Sequence, residues 1–178
     1  MKSIVAVDSE WGIGKNNDLL FDIKADMRHF VENTRGKTVV MGSNTLLSLP
    51  GGMPLKNRVN IVLNPDGKDE DAEKKGYILV RSLDELLKKV SEYPADEVYV
   101  IGGAMMYRTL LPYCSEAIIT KVRATGGAQV FYENLDNKPE WELVEESEPV
   151  TDSGYTMTFC IYRNNSPLPY PEASYYFA

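Results

Sequence analysis

Histidine is nearly absent from this chain: His29 is the only one in 178 residues. A metal centre built on two imidazoles is therefore excluded, and a Ser-His-Asp relay would have to run through this single ring. Cysteine is scarce too. Cys114 and Cys160 stand in apolar surroundings, form no CxxC and have no second pair to complete a metal site, so they read as buried thiols. Positive charge is in deficit, with 19 Lys and Arg against 26 Asp and Glu for a net −7. That balance argues against nucleic acid or an anionic membrane as partner. No apolar run approaches the roughly 20 residues of a membrane helix. SIVAV, directly after Met1-Lys2, is too short for a secretory core, so the expected compartment is the cytoplasm. Neither GxGxxG nor a Walker A sequence occurs.

What remains is an ordinary globular composition, 43% apolar and 25% charged, at a length that suits one domain. Short β-branched runs recur at 3–7, 38–41, 60–63, 77–80, 97–101 and 116–122. Continuous apolar runs of this length suit strands buried on both faces of a parallel sheet. Helical patterns fall between them at 23–34, after Gly42, at 82–93 and from Ala104. Ser82 with Glu85 three residues on forms a capping box for the third. Strand and helix in alternation predict an α/β domain. WELVEES (141–147) and YTMTFCIYR (155–163), separated by a turn-rich EPVTDSG, predict a C-terminal antiparallel hairpin. The expected fold is a mixed, mostly parallel sheet of about eight strands flanked by about four helices. DGKDEDAEKKG (66–76) reads as a solvated connection. Residues 1–163 form the expected domain. NNSPLPYPEASYYFA (164–178) reads as an extension, either loose or an aromatic strap through Tyr175, Tyr176 and Phe177.

Three features carry chemistry. The first is LLFDIKADMRHF (19–30). At about 100° per residue, Met27, Phe30 and Val31 fall within roughly 80° of Ile23, and Asp26 lies at roughly 300°, on the apolar margin. Lys24, Arg28, His29 and Glu32 point elsewhere. A lone carboxylate on that margin is costly unless paired; periodicity leaves it open whether Asp26 reaches water or works in a site. The second is a pair of strands ending in glycine before a helix, at Gly42-Ser43-Asn44-Thr45 and Gly102-Gly103-Ala104. Bare backbone and helix N-termini suit the phosphates of a dinucleotide at the carboxyl edge of a parallel sheet, although ordinary tight turns look the same. The third is DSEWGIGKNNDLLF (8–21), long for a connection, hinged at Gly12 and Gly14, with Trp11, Leu19, Leu20 and Phe21 as apolar surface for a lid or a core plug. One semi-buried acid, a lid and two phosphate-friendly turns fit redox chemistry on a nucleotide cofactor.

With these motifs in their order — WGIGKNNDLLF, ADMRHFVENTRGKTVVMG, SNTLLSLPGGMPLKNRVNIVL, VYVIGGAMMY and AIITKV — residues 1–163 resemble the dihydrofolate reductase family. The resemblance implies NADPH-dependent reduction of 7,8-dihydrofolate to tetrahydrofolate, by hydride transfer to pterin C6 with protonation at N5, and folate substrate and antifolate inhibitors as small-molecule partners. By resemblance, Asp26 holds the amino-pyrimidine edge and favours N5 protonation, with Thr120 in its network and Phe21 and Leu19 beside the reaction. A two-point contact of a desolvated carboxylate with that edge suits the residue type. Ile4, Val5 and Ile101 line the pterin pocket; Met27, Phe30, Leu49 and Leu55 pack on the aminobenzoyl ring; Arg58 forks onto the glutamate carboxylate. Ala6, Ile13, Gly14 and Leu19 flank the nicotinamide. Gly42, Ser43, Asn44, Thr45, Leu63, Asn64, Arg81, Ile101, Gly102, Gly103, Ala104, Met105, Met106 and Tyr107 surround the rest of the cofactor, and the Gly-Gly link is implied to be cis.

Several positions depart from the family pattern. Phe21 stands where an indole is frequent. Ser43, Asn64-Pro65 and Met105 replace residues that favour a 2′-phosphate, leaving Arg81 and an expected weakening of the preference for NADPH over NADH. Ala128, in GGAQVFYEN (126–134), lacks the carboxylate that usually anchors a closed lid, so altered lid dynamics are expected. Two other readings compete. A riboflavin-pathway reductase is opposed by Asp26 beside Phe30. A catalytically silent nucleotide-binding module is opposed by Asp26, Thr120, Arg58 and Gly102-Gly103 together. No metal, nucleic acid or membrane is expected; the expected state is a monomer, with a tail-mediated dimer as the alternative.

Overall fold

The structure is a computed structural model, and it describes residues 1–170. The aromatic triplet Tyr175, Tyr176 and Phe177 lies outside the described residues. In chain order, β1 (Lys2–Val7) leads into a small hairpin, β2 (Gly12–Lys15) and β3 (Asp18–Leu19), and then α1 (Lys24–Thr34). β4 (Thr38–Gly42) and α2 (Ser43–Ser48) follow, then β5 (Val59–Leu63), α3 (Asp69–Lys75), β6 (Ile78–Val80), α4 (Leu83–Val90), β7 (Val98–Gly102) and α5 (Ala104–Leu110). The remaining strands are β8 (Glu116–Val122), β9 (Val130–Phe131), β10 (Trp141–Glu146), β11 (Val150–Asp152) and β12 (Tyr155–Asn164).

The main sheet runs β10-β12-β8-β1-β7-β4-β5-β6, with β11 on β12, so it holds nine strands among the described residues. From β8 to β6 all neighbours are parallel; β12 is antiparallel to both β8 and β10. This is the expected mixed α/β architecture with its antiparallel C-terminal end. The central strands are apolar on both sides because both sides are covered. Val40, Ile61 and Val100 pack with Leu86 and Val90 of α4 and Leu110 of α5 on one face. Val39, Met41, Val62 and Tyr99 pack on the other, with Leu46 of α2 and Phe30 of α1. Successive residues of one strand thus serve opposite layers, as the two-residue period requires.

Three expectations change on contact with the structure. The charge run holds a helix, α3, because its acids sit in the first turn, its lysines in the last, and Gly76 closes it at φ 85°. The capping box of α4 is only half-formed: the Ser82 hydroxyl accepts from the Glu85 amide at 3.1 Å, but the Glu85 carboxylate takes the Arg81 amide, at 2.8 Å. The tail begins tied down rather than loose. The Asn165 amide donates to the Glu140 carbonyl at 2.8 Å, the Leu168 amide to the Pro112 carbonyl at 2.9 Å. Tyr170 tilts against Tyr113, with ring centroids 6.5 Å apart.

The 8–21 segment is a hairpin, turned at Asn16-Asn17 with φ 52° and 60°, values that asparagine tolerates and a two-residue hairpin demands. It pairs with β9 in a three-stranded sheet, β3-β2-β9. Its base is fixed by Asp8, which is buried. One carboxylate oxygen of Asp8 accepts from the amides of Glu10, at 2.9 Å, and Gly12, at 2.7 Å; the other accepts from Gly126, at 3.0 Å. Trp11 is core plug rather than lid surface, stacked on Tyr132 at 6.2 Å and set edge-on to Tyr162 at 6.0 Å. Ala128 lies so close to Gly12 that a Cβ there would collide with its methyl group. The acceptor that Ala128 cannot offer comes from its neighbour. Gln129 donates its amide to the Gly14 carbonyl at 2.8 Å and receives the Asn16 amide on its side-chain oxygen at 3.0 Å.

Removing the Asp8 carboxylate leaves three amides without their acceptor. Asp8→Ala is expected to lower stability by about 2–4 kcal/mol in urea unfolding, and Asp8→Asn by less, since one oxygen remains. For the tip, Gln129→Ala is expected to raise amide hydrogen exchange at Asn16 by about fivefold, the equivalent of one ordinary hydrogen bond, while leaving the amide of Gly12 as protected as before.

Candidate active site

The carboxyl ends of the parallel strands set the site. β4 and β7 are neighbours, with Met41 in register opposite Gly102, so the two glycine-ended strands place Gly42 and Gly102-Gly103 side by side. Both helices that follow, α2 and α5, start at a glycine with no side-chain cap. Gly102 has φ 134°, and a Cβ on it would come within 3.1 Å of the Thr45 hydroxyl. A Cβ on Gly42 would come within 3.3 Å of the Met106 side chain. The Gly102–Gly103 bond is cis, as the resemblance implies. This bare double edge fits the phosphates of a dinucleotide, because close approach needs backbone without side chains and unfilled amides.

One strand over, β1 lies between β7 and β8. The carbonyl of Ile4 accepts from the buried Tyr107 hydroxyl at 2.8 Å. Ala6 is in register with Thr120 of β8, and Val5 with Ile119. Thr120 is buried at 2% exposure, its hydroxyl near Asp26 of α1. Asp26 is half-buried, with the Thr120 hydroxyl beside its carboxyl. Burial pushes its pKa up, against the opposing pull of the Thr120 hydroxyl and of His29. Tyr107 is pushed above the ordinary tyrosine range by burial first and by the Asp26 charge second.

His29 corrects an expectation. It does not lie on the polar flank of α1; its ring packs on Phe159 with centroids 4.3 Å apart, and its Nε2 is buried without a hydrogen-bond partner among the described residues. An aromatic neighbour on β12 gives the ring more contact than water would. Burial pulls its pKa below the ordinary value, against Asp26 and Glu32, so the imidazole is neutral at pH 7.

The outer pocket follows from α1 and the 49–58 segment. Phe30, Leu49, Leu55 and Ile101 are partly buried around one apolar cluster. Met27 stays 51% exposed and Leu19 68% exposed, wall residues rather than core. Phe21 tilts against Tyr155 with centroids 4.8 Å apart. Arg58 is held in place before any anion arrives. Its Nε and Nη2 donate to the Thr34 hydroxyl at 3.3 and 3.1 Å, its Nη1 to the Lys56 carbonyl at 2.8 Å, and it lies 5.9 Å from the Phe30 ring centre.

Among the residues expected at the cofactor, Ile13 is buried and Gly14 pairs with Leu19 across the hairpin. Ser43 and Asn44 open α2, Ala104 and Met105 open α5, and Met105 is 68% exposed. Met106, at 2%, is a core residue beneath Gly42, so its side chain faces away from the crevice. Leu63 ends β5, and Asn64 is pinned to β6 by its amide on the Val80 carbonyl at 2.9 Å. Arg81 is paired with Asp69 at 2.9 Å and also donates to the Gly67 carbonyl at 3.2 Å.

Thr34 and Asn60 carry weight that the sequence reading missed. The Asn60 side chain closes on both backbone groups of Leu55, at 3.0 and 2.9 Å, and so sets the pocket wall. A buried asparagine inside an apolar run was a legible oddity. Thr34, at a helix end, carries no such signal.

Comparison with known proteins agrees with this geometry. The family model for dihydrofolate reductase matches residues 1–164. The chain is 32% identical over 165 residues to the dihydrofolate reductase of Bacillus subtilis, covering 92% of this chain and 94% of that protein. It is 33% identical over 140 residues to the enzyme of Haemophilus influenzae, covering 79% and 82%. It is 29% identical over 187 residues to that of Sus scrofa, covering 93% and 98%. A glycine-edged dinucleotide crevice beside one desolvated carboxylate, on a chain matched almost end to end, makes this protein a member of the dihydrofolate reductase family.

Proposed function

We propose that Asp26 is the proton-handling group in the reduction of dihydrofolate to tetrahydrofolate, the reaction of this family, with NADPH as its cofactor. The observation that carries this is the half-buried Asp26 carboxyl, raised in pKa by burial and adjoining the Thr120 hydroxyl. In the bound state NADPH supplies the hydride to pterin C6. This chain's residues do the rest. The Asp26 carboxylate holds the amino-pyrimidine edge in two points, and Thr120 keeps it oriented. Burial raises the Asp26 pKa above that of a free carboxylate, which makes it a better partner for protonation at N5 when the hydride arrives. Phe30, Leu49, Leu55 and Met27 receive the aminobenzoyl ring, and the pre-oriented Arg58 fork receives the glutamate carboxylate. The lid hairpin, through Leu19 and Ile13, excludes water from the hydride path.

The cofactor's 2′-phosphate meets little charge. Ser43, Asn64 and Met105 are neutral, and the Arg81 guanidinium is already paired with Asp69. An exposed, paired arginine contributes on the order of 1 kcal/mol. The protein is read as a monomer in the cytoplasm. Supporting this are two free buried cysteines, the very short edge strand β6, and a bulged β10 carrying Glu142, Glu145 and Glu146. No helix among the described residues is long and apolar enough to cross a membrane.

Asp26→Asn is expected to cut kcat about a hundredfold or more at neutral pH with little change in cofactor affinity, measured by NADPH oxidation and by cofactor titration. Unchanged turnover would remove Asp26 from the role. The same substitution is expected to raise stability at neutral pH. Burial lifts the folded pKa above the ordinary 3.8, so the penalty is absent below that value and grows as pH rises through the folded pKa. Urea unfolding at pH 4 and pH 7.5 checks the sign. For the cofactor, the ratio of kcat/KM for NADPH over NADH is expected to lie under about tenfold; a ratio of several hundred would show a strong 2′-phosphate site.

A further inference from the structure

Helix α1 has no cap of its own. Its N-cap residue is Ile23, in an extended conformation (φ −125°, ψ 116°) and with no side-chain oxygen. The amides of the first turn of a helix need acceptors. They find them 127 and 129 residues away in sequence: the Ala25 amide donates to Asp152 Oδ2 at 2.9 Å, and the Lys24 amide to the Ser153 hydroxyl at 3.4 Å. The Ser153 hydroxyl also donates to Asp152 Oδ2 at 3.1 Å. Both acceptors sit on the turn between β11 and β12, where Ser153 and Gly154 have φ 53° and 83° and Asp152 is in register with Tyr155. Those dihedrals belong to a tight two-residue hairpin, so the acceptors are rigidly presented.

The same hairpin grips the region at further points. Tyr155 lies against Phe21, and Phe159 lies against His29. Met157, fully buried, packs with Ile23, Ala25 and Val122. Phe159 is also the register partner of Thr120 on β8. One element therefore holds both members of the Asp26–Thr120 pair: Thr120 through strand pairing, and Asp26 through the cap on the residue just before it.

We propose that Asp152 is a positioning residue for Asp26, acting as the N-cap of α1 supplied from the β11–β12 turn, and that this cap sets how Asp26 meets Thr120. The inference rests on Asp26 as the proton-handling group. The charged and titratable groups around Asp26 are His29 on its own helix and Tyr107 on α5; those around Asp152 are Lys24 and Arg28 on α1. Bonds from the Ala25 amide and the Ser153 hydroxyl, with both cations, hold the Asp152 carboxyl below its ordinary range, so the ionised cap is lost only as pH falls through that lowered value.

The test is the pH dependence of kcat together with Tm, on the whole chain. Asp152→Ala is expected to lower Tm by about 2–4 °C, to lower kcat roughly tenfold or more, and to shift the apparent pKa of the pH–rate profile. Asp152→Asn keeps an acceptor oxygen and is expected to restore kcat and the apparent pKa to within about twofold of the parent. Asn134→Ala removes a cap from the short turn at 135–137; it should lower Tm and leave the profile where it was. If Asp152→Ala does not fold, Ser153→Ala decides, with a smaller shift of the profile in the same direction. A lower Tm with the parent's kcat and apparent pKa, in whichever of these two variants is measured, overturns the positioning role. Asp26→Asn is run alongside: if it is inactive while the Asp152 profile is unmoved, only the positioning role falls, and if Asp26→Asn is fully active, both fall.

Discussion

The half-buried carboxyl of Asp26 constrains everything around it. A charge withdrawn from water needs fixed partners, and those partners come from three separate parts of the chain. Thr120 reaches it from β8, α1 carries it, and the turn after β11 fixes where α1 begins. None of these would hold the group alone. The sheet order explains how they meet: β12 and β8 are neighbours, and β8 pairs with β1, whose carboxyl end opens onto the same crevice. The glycine ends of β7 and β4 then lie two and three strands along the sheet from Thr120, the neighbour of the acid on β8.

Much of this is legible in the sequence. Continuous apolar strands and intervening helices gave the parallel layer, because burial on two faces leaves no room for polar alternation. Gly42 and Gly102-Gly103 were readable because nothing but glycine leaves backbone bare at a strand end. Asp26 was readable only as an anomaly, and periodicity could not say which way it faced. What escaped is long-range. Nothing local marks Asp152 as the cap of a helix more than a hundred residues earlier, or Thr34 as the brace for Arg58. The orientation of His29 escaped for the same reason: its partner, Phe159, is on another strand. The charge run at 69–75 misled because its charges, read as solvation, are ordered to suit a helix dipole.

The lid hairpin is fastened by different chemistry at its two ends. Ala128 offers only a methyl, packed against Gly12, and the acceptor for the lid backbone is the neutral amide of Gln129. A neutral acceptor makes a weaker bond than a carboxylate does. The charged fastening is at the base of the hairpin, where the buried Asp8 ties three amides together. The hinge end of the lid is thereby the firmly held end, and the tip is the yielding one.

The position of β12 in the sheet also has a consequence for how the molecule is made. Residues 155–164 are the last strand described, yet they lie between β8 and β10, inside the sheet rather than at its border. Until that segment has left the ribosome, β8 presents an open edge, and the hairpin that holds Asp152 and Ser153 against the first turn of α1 is unformed. Native pairing of the earliest residues with β7 and β8 is also distant in sequence, which slows assembly. A nascent chain halted before residue 155 carries almost every residue of the pocket and still lacks the pocket.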